Sequence, residues 1–464
     1  MKILLLTLME YPGSIPPLGS AAVAGAAGRA GHPVSHAFAF AEAEKSEYNI
    51  ITPGREEAFA PTNIKKIVDG IEAEDPDVVG FSCFIANRRS TELTARALKE
   101  KSPRRILVAG GPDIHPVQSG TSGITIHARH MDYLVQGEAE DKIVRLLGAL
   151  EKQGAYGGDR SIFNCSKPIP ADVLSGYEEC PGYLDSLAFA DFGQNPGFAR
   201  FKDASGWFAG VPLSFSRGCT GDCSFCNRSE YTRGIRHRSA RSMRDEMLLQ
   251  SKRYGIPEFI IIDDDPLCAQ ALPEMMRLCD LLEELGSPFR LIIYNARLSS
   301  RLAEPRVAQR LRKAGVSRIQ FGVESLSPEV RRHMGKPVRP ETVDAVLQSF
   351  SRAGIDTGIY LIYGYPAETR EDFEKTHAWL KANMGILSSI NVNCFIMNET
   401  YMQKRPGSFA CAPPRAGAVL SRWQSHAVSP DTLWERFFLL FSLLSRNFSG
   451  PFSIADPEGN YLAG

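Results

Sequence analysis

The chain has 464 residues, 43% of them hydrophobic, and its 53 Lys and Arg balance its 53 Asp and Glu. Zero net charge without a basic block argues against binding driven by nucleic-acid phosphates. No apolar run reaches the roughly 20 residues that a membrane-spanning helix needs. The length suits two or three domains. Of the ten cysteines, three are clustered. The others (Cys83, Cys165, Cys180, Cys268, Cys279, Cys394 and Cys411) are scattered singly, the pattern of reduced thiols in a cytoplasmic protein.

The apolar opening, residues 1–8, is short for a signal peptide. Glu10 and Pro12 follow it where a cleavage site belongs, so it reads as a first buried strand. Further strand-like runs fall at 34–40, 78–84, 105–109 and 132–135, alternating with helical stretches such as 21–30, which Gly31 stops. Near-continuous apolar strands alternating with helices predict a parallel, Rossmann-like sheet over 1–150. Ligands of such sheets bind beyond the carboxyl ends of the strands. Those ends carry Pro16-Pro17-Leu18-Gly19, Cys83 to Asn87, Gly110-Gly111-Pro112-Asp113-Ile114-His115 and Gly137-Glu138-Ala139-Glu140.

Residues 151–205, rich in Gly, Pro, Ser and acidic side chains, read as a linker. Alternation resumes over 206–397. Strands are predicted at 213–216, 258–262, 289–294, 318–323, 357–362 and 389–395, with helices at 242–253, 272–285, 306–313, 340–352 and 370–382. Leu278, Leu281, Leu282 and Leu285 recur at the spacing of a helix packed on a sheet. The tail, 398–464, holds a helix over 430–446 that is apolar around much of its girth and reads as a buried lid or barrel-closing element.

After the first strand of this second region comes Ser216-Arg217-Gly218-Cys219-Thr220-Gly221-Asp222-Cys223-Ser224-Phe225-Cys226. Three thiolates on one loop can hold three irons of a cubic iron–sulfur cluster and leave the fourth open. Gly218 and Gly221 let the backbone wrap closely. The competing reading is zinc, which wants four closed ligands in a structural site. The nearest downstream histidine, His237, lies eleven positions past Cys226.

The Cys-x3-Cys-x2-Cys spacing, with Phe225 before the third cysteine, resembles the radical S-adenosylmethionine (radical SAM) enzymes. The resemblance implies a partial (β/α)6 barrel and a 4Fe-4S cluster on Cys219, Cys223 and Cys226. The free iron chelates SAM, which is cleaved reductively to a 5′-deoxyadenosyl radical. It further implies SAM contacts from Asp263 and Asp264, from Glu324 and Ser325 in Gly322-Val323-Glu324-Ser325, and from Gly364 in Gly364-Tyr365-Pro366-Ala367-Glu368-Thr369, with Glu368 and Thr369 capping the next helix. Arg297 is a candidate partner of the SAM carboxylate; the alternative is an ordinary surface arginine. Cys83, Cys268 and Cys394 lie near strand ends, where inert packing is the plainer reading.

The loops at Pro17 and Gly19, at Gly110 and Gly111, and at Gly137 and Glu138 resemble the cobalamin-binding-type domain that precedes the barrel in one radical SAM subgroup. Asp-x-His-x-x-Gly, which marks protein ligation of cobalt, is absent, and Asp113-Ile114-His115 is only a near miss. The domain therefore holds cobalamin or serves as a scaffold. The resemblance implies cobalamin-dependent methylation of an unactivated carbon on a small-molecule or peptide substrate, with electrons from a donor such as flavodoxin or ferredoxin. The alternatives are a cobalamin-free radical reaction and a non-catalytic metal-binding scaffold. The sequence does not name the substrate.

Overall fold

The structure, a computed structural model, describes residues 1–9, 17–40, 61–84, 87–114, 127–152, 161–166, 184–193, 210–226, 234–396, 401, 405, 425, 427–457 and 461–463. They fall into two compact units, one formed essentially by residues 1–201 and the other by 202–464.

The first unit runs β1 (Ile3–Met9), α1 (Leu18–Arg29), β2 (Val34–Phe40), α2 (Pro61–Glu74), β3 (Val78–Ser82), α3 (Arg88–Lys101), β4 (Ile106–Gly110), β5 (Tyr133–Val135), α4 (Glu140–Glu151) and β6 (Ile162–Asn164). The sheet order is β2-β1-β3-β4-β5-β6. All pairs are parallel except β5 with β6. The chain leaves β1 for one side and returns as β3 on the other, so strand order reverses there, where such sheets bind ligands. β1 is apolar on both faces because both are covered. Leu4, Leu6 and Leu8 pack with Val68 and Leu98 of α2 and α3, while Ile3 and Leu5 pack with Ala24, Ala27 and Leu146 of α1 and α4. Strand β6 lies inside the stretch that reads as linker. Three residues are too few to show a period, so it leaves no mark on the pattern.

The second unit begins with β7 (Val211–Leu213), a small β8 (Ser216–Arg217) and β9 (Arg236–His237) hairpin, α5 (Ala240–Tyr254) and β10 (Glu258–Ile261). It continues with α6 (Leu272–Glu284), β11 (Arg290–Arg297), α7 (Pro305–Lys313), β12 (Val316–Glu324), α8 (Pro328–His333), α9 (Pro340–Arg352) and β13 (Asp356–Tyr363). It ends with α10 (Arg370–Asn383), β14 (Ser389–Cys394), α11 (Pro430–Asn447), β15 (Phe452–Ala455) and β16 (Tyr461–Ala463). The order is β7-β10-β11-β12-β13-β14-β15-β16. The six expected strands stand in chain order as a parallel sheet, but the sheet does not stop at β14. Helix α11 is the crossover that brings β15 in parallel beside β14, and β16 turns back antiparallel. The tail is thus part of the sheet. Its four- and three-residue strands are too short to show an alternation.

One face of this sheet packs on helices: Phe321 meets Phe350 of α9 and Phe452 meets Phe441 of α11, ring centroids 5.1 and 6.4 Å apart. On the other face side chains reach past a strand to the next but one. Ser389 Oγ donates to Gln320 Oε1 at 3.1 Å and Tyr461 OH to Asn393 Oδ1 at 2.8 Å, while the Tyr294 and Tyr360 rings lie 6.3 Å apart. Strands sit about 4.8 Å apart, so a flat sheet would separate these partners by nearly 10 Å. That face is concave.

Candidate active site

The three cysteines follow β7 and β8 at the carboxyl end of the sheet. Their loop is fastened from beneath by Asp263, just past β10. This carboxylate accepts from the backbone N–H of Phe215 at 3.0 Å, from the Ser216 hydroxyl at 2.9 Å and from the Ser216 N–H. Burial pushes Asp263 up to about 7, and the Ser216 donors oppose that. The sequence reading gave Asp263 to SAM; the structure fills its oxygens with the chain's own donors. Asp264 is half-buried. Asp265 accepts from Thr220 Oγ1 at 3.2 Å and from the Arg297 N–H at 3.3 Å, joining the loop to the end of β11.

Glycine is required at Gly218 and makes room for a side chain at Gly221. Gly218 has φ +97°, and a Cβ there would stand 1.9 Å from Gly234 O. At Gly221 a Cβ would stand 2.1 Å from Arg297 Nη1. The space Gly221 leaves lets the guanidinium reach the loop, where Nη1 donates to Cys223 Sγ at 2.9 Å. Arg297 is therefore neither a free surface side chain nor an unengaged partner for a carboxylate. Burial works against its charge, but Cys223, Cys219 and Asp265 outweigh burial and hold its pKa above the ordinary arginine value. Burial also pushes the Cys219 thiol up to about 11, countered by the Gly221 N–H 3.3 Å from Sγ and by Arg297. Phe225 and Cys226 are half-buried, and the Cys226 N–H donates to Cys223 O at 3.1 Å.

The far side of the loop is tied to α8 and the β13 loop. Ser224 N–H donates to Met334 O at 2.9 Å, and its hydroxyl lies 2.7 Å from the Tyr365 OH, itself 2.8 Å from His333 Nδ1. Sequence reasoning missed this network, although Ser224 and Tyr365 both lie within strings it quoted.

Glu324 ends β12 in the left-handed region, φ +65°, a strained conformation for a residue other than glycine. Lys336 Nζ donates to its Oε1 at 2.7 Å and to Gly322 O at 2.8 Å. Beside them Arg331, 1% exposed, donates to Ser325 O and Lys336 O, each at 3.3 Å, while its Nη2 has no partner among the described residues. Burial lowers Arg331 to about 10 and Glu324 opposes that. The Ser325 hydroxyl is buried against Thr376 and the Ser327 N–H, so what Ser325 gives the site is its backbone. Gly364, φ +74°, donates its N–H to Glu368 Oε2 at 2.8 Å. Thr369 caps α10 in a capping box with Asp372. Glu368 does not cap: it is buried in an ion pair with Arg436 of α11 at 2.6 Å. Cys268 and Cys394 are buried.

In the first unit Pro17 precedes α1, and Gly19 in its first turn faces open space. Gly110 is half-buried; at Gly111, φ +107°, a Cβ would stand 2.5 Å from Cys83 O. Gly137 has φ +74° and Glu138 is half-buried. His115 lies outside the described residues. Asp113 is buried between Arg88 and His127, with His127 Nε2 at 2.8 Å. Gln136, to which the sequence alone assigns no separate role, opens the strand-end string Gln136-Gly137-Glu138-Ala139-Glu140. It is 1% exposed at the end of β5, and neither atom of its side-chain amide has a partner among the described residues.

The Radical SAM superfamily profile matches residues 213–380, and the B12 binding domain profile matches 5–147. The chain carries a radical SAM domain preceded by a B12-binding domain. It is 26% identical over 390 residues to an uncharacterised methyltransferase of Pyrococcus horikoshii, covering 82% of this chain and 78% of that one. It is 26% identical to an anaerobic magnesium-protoporphyrin IX monomethyl ester cyclase of Rubrivivax gelatinosus, covering 65% of this chain and 53% of the cyclase. A radical S-adenosylmethionine methyltransferase of Kitasatospora setae, solved with cobalamin and a [4Fe-4S] cluster, has the same fold. That match has TM-score 0.68 at 15% identity and covers 95% of this chain and 90% of that one.

The residues fit these cofactors. Among the described residues no three His, Cys, Asp or Glu converge on a single metal ion; a cube spreads its three thiolates over separate irons. The cradle is cut by Gly218 and Gly221 and lined by Arg297. In the first unit, the amide of Gln136, without a partner among the described residues, stands beside Gly137 and offers both a donor and an acceptor to a ligand bearing amides, as a corrin does.

Proposed function

We propose that the protein is a cobalamin-dependent radical SAM methyltransferase acting on an unactivated carbon. The observation that carries this is a three-thiol loop, cut to shape by Gly218 and Gly221, in one chain with a B12-binding domain. When bound, the cluster supplies the electron that cleaves SAM, and cobalamin carries the methyl group. Cys219, Cys223 and Cys226 hold the cluster, and Arg297 donates to one of its sulfur ligands. Arg331, Lys336 and Glu324 present two cations and a carboxylate at the end of β12, suited to the carboxylate and ribose of SAM. Asp264 and Gly364 flank that surface. Pro17, Gly19, Gly110, Gly111, Gly137 and Glu138 shape the loops that receive cobalamin. A low-potential donor such as flavodoxin or ferredoxin delivers the electron, and a reducing cytoplasm keeps the thiols free.

Two measurements test this reading. Anaerobically reconstituted protein is titrated with cobalamin and followed in the visible spectrum, and metabolites treated with it are searched by mass spectrometry for the gain of one methyl. Stoichiometric corrinoid and a methylated product are expected. SAM cleavage with no corrinoid taken up at saturating cobalamin contradicts the methylase and leaves a cobalamin-free radical enzyme.

A further inference from the structure

The concave face of the second unit sorts its side chains into rows. The lowest is sealed. Gln320 and Ser389, 0% and 3% exposed, are hydrogen-bonded to each other across Gly358, where a Cβ would meet each of them at 2.2 Å. This is a floor, and the Arg318–Asp356 ion pair lies on its amino side.

One step toward the carboxyl ends the face opens. Arg297, Gly322, Tyr360, Asn391 and Ser453 are register partners across β11, β12, β13, β14 and β15, so they share one face. Tyr360, Asn391 and Ser453 are each partly exposed. Above them come Ile362 and Asn393, also partly exposed. Both faces of an all-parallel sheet are ordinarily apolar and covered. A polar, half-open row directly above a sealed floor marks a cavity shaped for a ligand.

The cavity is divided by charge. Asp265, Arg297 and the Glu324–Lys336 pair stand on the side of β10, β11 and β12. Above the floor the concave face of β13, β14 and β15 carries Tyr360, Ile362, Asn391, Asn393, Ser453 and Ala455, with no charge. There the Ser453 hydroxyl donates to Asn391 Oδ1 at 2.7 Å and Tyr461 OH to Asn393 Oδ1 at 2.8 Å. Those donors fix both amides. Their Nδ2 groups, two residues apart on one strand, have no partner among the described residues. The Tyr294–Tyr360 ring pair forms the adjoining wall.

From this we infer that the substrate enters with an uncharged planar group, which lies against Tyr294 and Tyr360 and offers a carbonyl or ring-nitrogen acceptor to Asn391 and Asn393. A carboxylate or phosphate there would lose its hydration beside neutral donors only, which disfavours it. The inference rests on reading the chain as a radical SAM enzyme and adds the class of substrate group that its barrel admits.

Nicotinamide and nicotinate share a ring and differ in the charge of one substituent, so they serve as probes. Equilibrium dialysis against the holoenzyme, with cluster, SAM and cobalamin bound, is expected to show nicotinamide binding at least tenfold tighter than nicotinate. Asn391→Leu and Tyr294→Leu, on different strands, should each weaken nicotinamide tenfold or more, with iron content confirming that each variant has folded. Nicotinate binding equal to nicotinamide, no nicotinamide binding, or undiminished binding in both variants overturns the assignment. Formation of 5′-deoxyadenosine by the same wild-type preparation keeps the two questions apart. If it is absent, the enzyme reading has failed; if it is present without discrimination between the probes, only the substrate class has.

Discussion

At the scale of single residues, function rests on a few side chains whose partners set their task. Cys223 is the thiol that Arg297 touches, and replacing Cys223 with Ala should lower 5′-deoxyadenosine formation by three orders of magnitude or more, since no described side chain substitutes for it. Arg297→Leu removes a charged donor to a cluster ligand, of the kind that tunes potential. Hydrogen bonds to charged groups are worth about 1.5–3 kcal/mol, so the cluster potential should fall by roughly 60 mV or more in a redox titration followed by electron paramagnetic resonance. An unchanged potential would leave Arg297 with a packing role alone. In the first unit His36 is buried between Ser20 Oγ and Asp191 O, and burial lowers it to about 4. The unfolded chain takes up this proton from about pH 6.5 downward and the folded chain does not until about 4. The first unit should therefore lose about 3 kcal/mol across that window as pH falls. Urea midpoints between pH 7 and 4 check this, and a His36→Gln variant should lose that part of the slope.

Among the elements, what was legible in the sequence tracks length and periodicity. The exact spans of β2 and of α9's 340–352 stand in the pattern, and Gly255, φ +68°, stops α5 just past the predicted 242–253. The Cys-x3-Cys-x2-Cys loop needed only spacing. What escaped is tertiary. Asp263 sits in an acidic string that suggests ligand contact, and nothing local says that Phe215 and Ser216 will spend its oxygens. Glu368 looks like a helix cap because its partner, Arg436, lies 68 residues away. That pair joins the β13 loop to α11, both side chains almost fully buried. Breaking a buried pair costs about 3–5 kcal/mol because one charge is left without compensation. Arg436→Leu should lower thermal stability accordingly, and adding Glu368→Gln should recover much of it; a double variant no more stable than Arg436→Leu would contradict this account of the pair.

For the molecule as a whole, both parallel sheets place their glycine-shaped loops at strand carboxyl ends, where α/β folds bind ligands. The tail, whose helix reads as a buried lid or barrel-closing element, also supplies β15 and β16, and with them Ser453 and Tyr461. Part of the second sheet is thus built from the stretch of sequence with the weakest pattern. The stretches expected at 1–150, 151–205, 206–397 and 398–464 fall into two compact units, the first including β6 and the second reaching to the tail. The most direct test takes oxygen-free, iron-reconstituted protein with SAM and a strong reductant and follows it by electron paramagnetic resonance and by chromatography of the nucleosides. The account predicts a reduced four-iron signal that changes when SAM is added, with 5′-deoxyadenosine accumulating in step. A protein that binds iron at Cys219, Cys223 and Cys226 yet shows no such signal and releases no 5′-deoxyadenosine would contradict it.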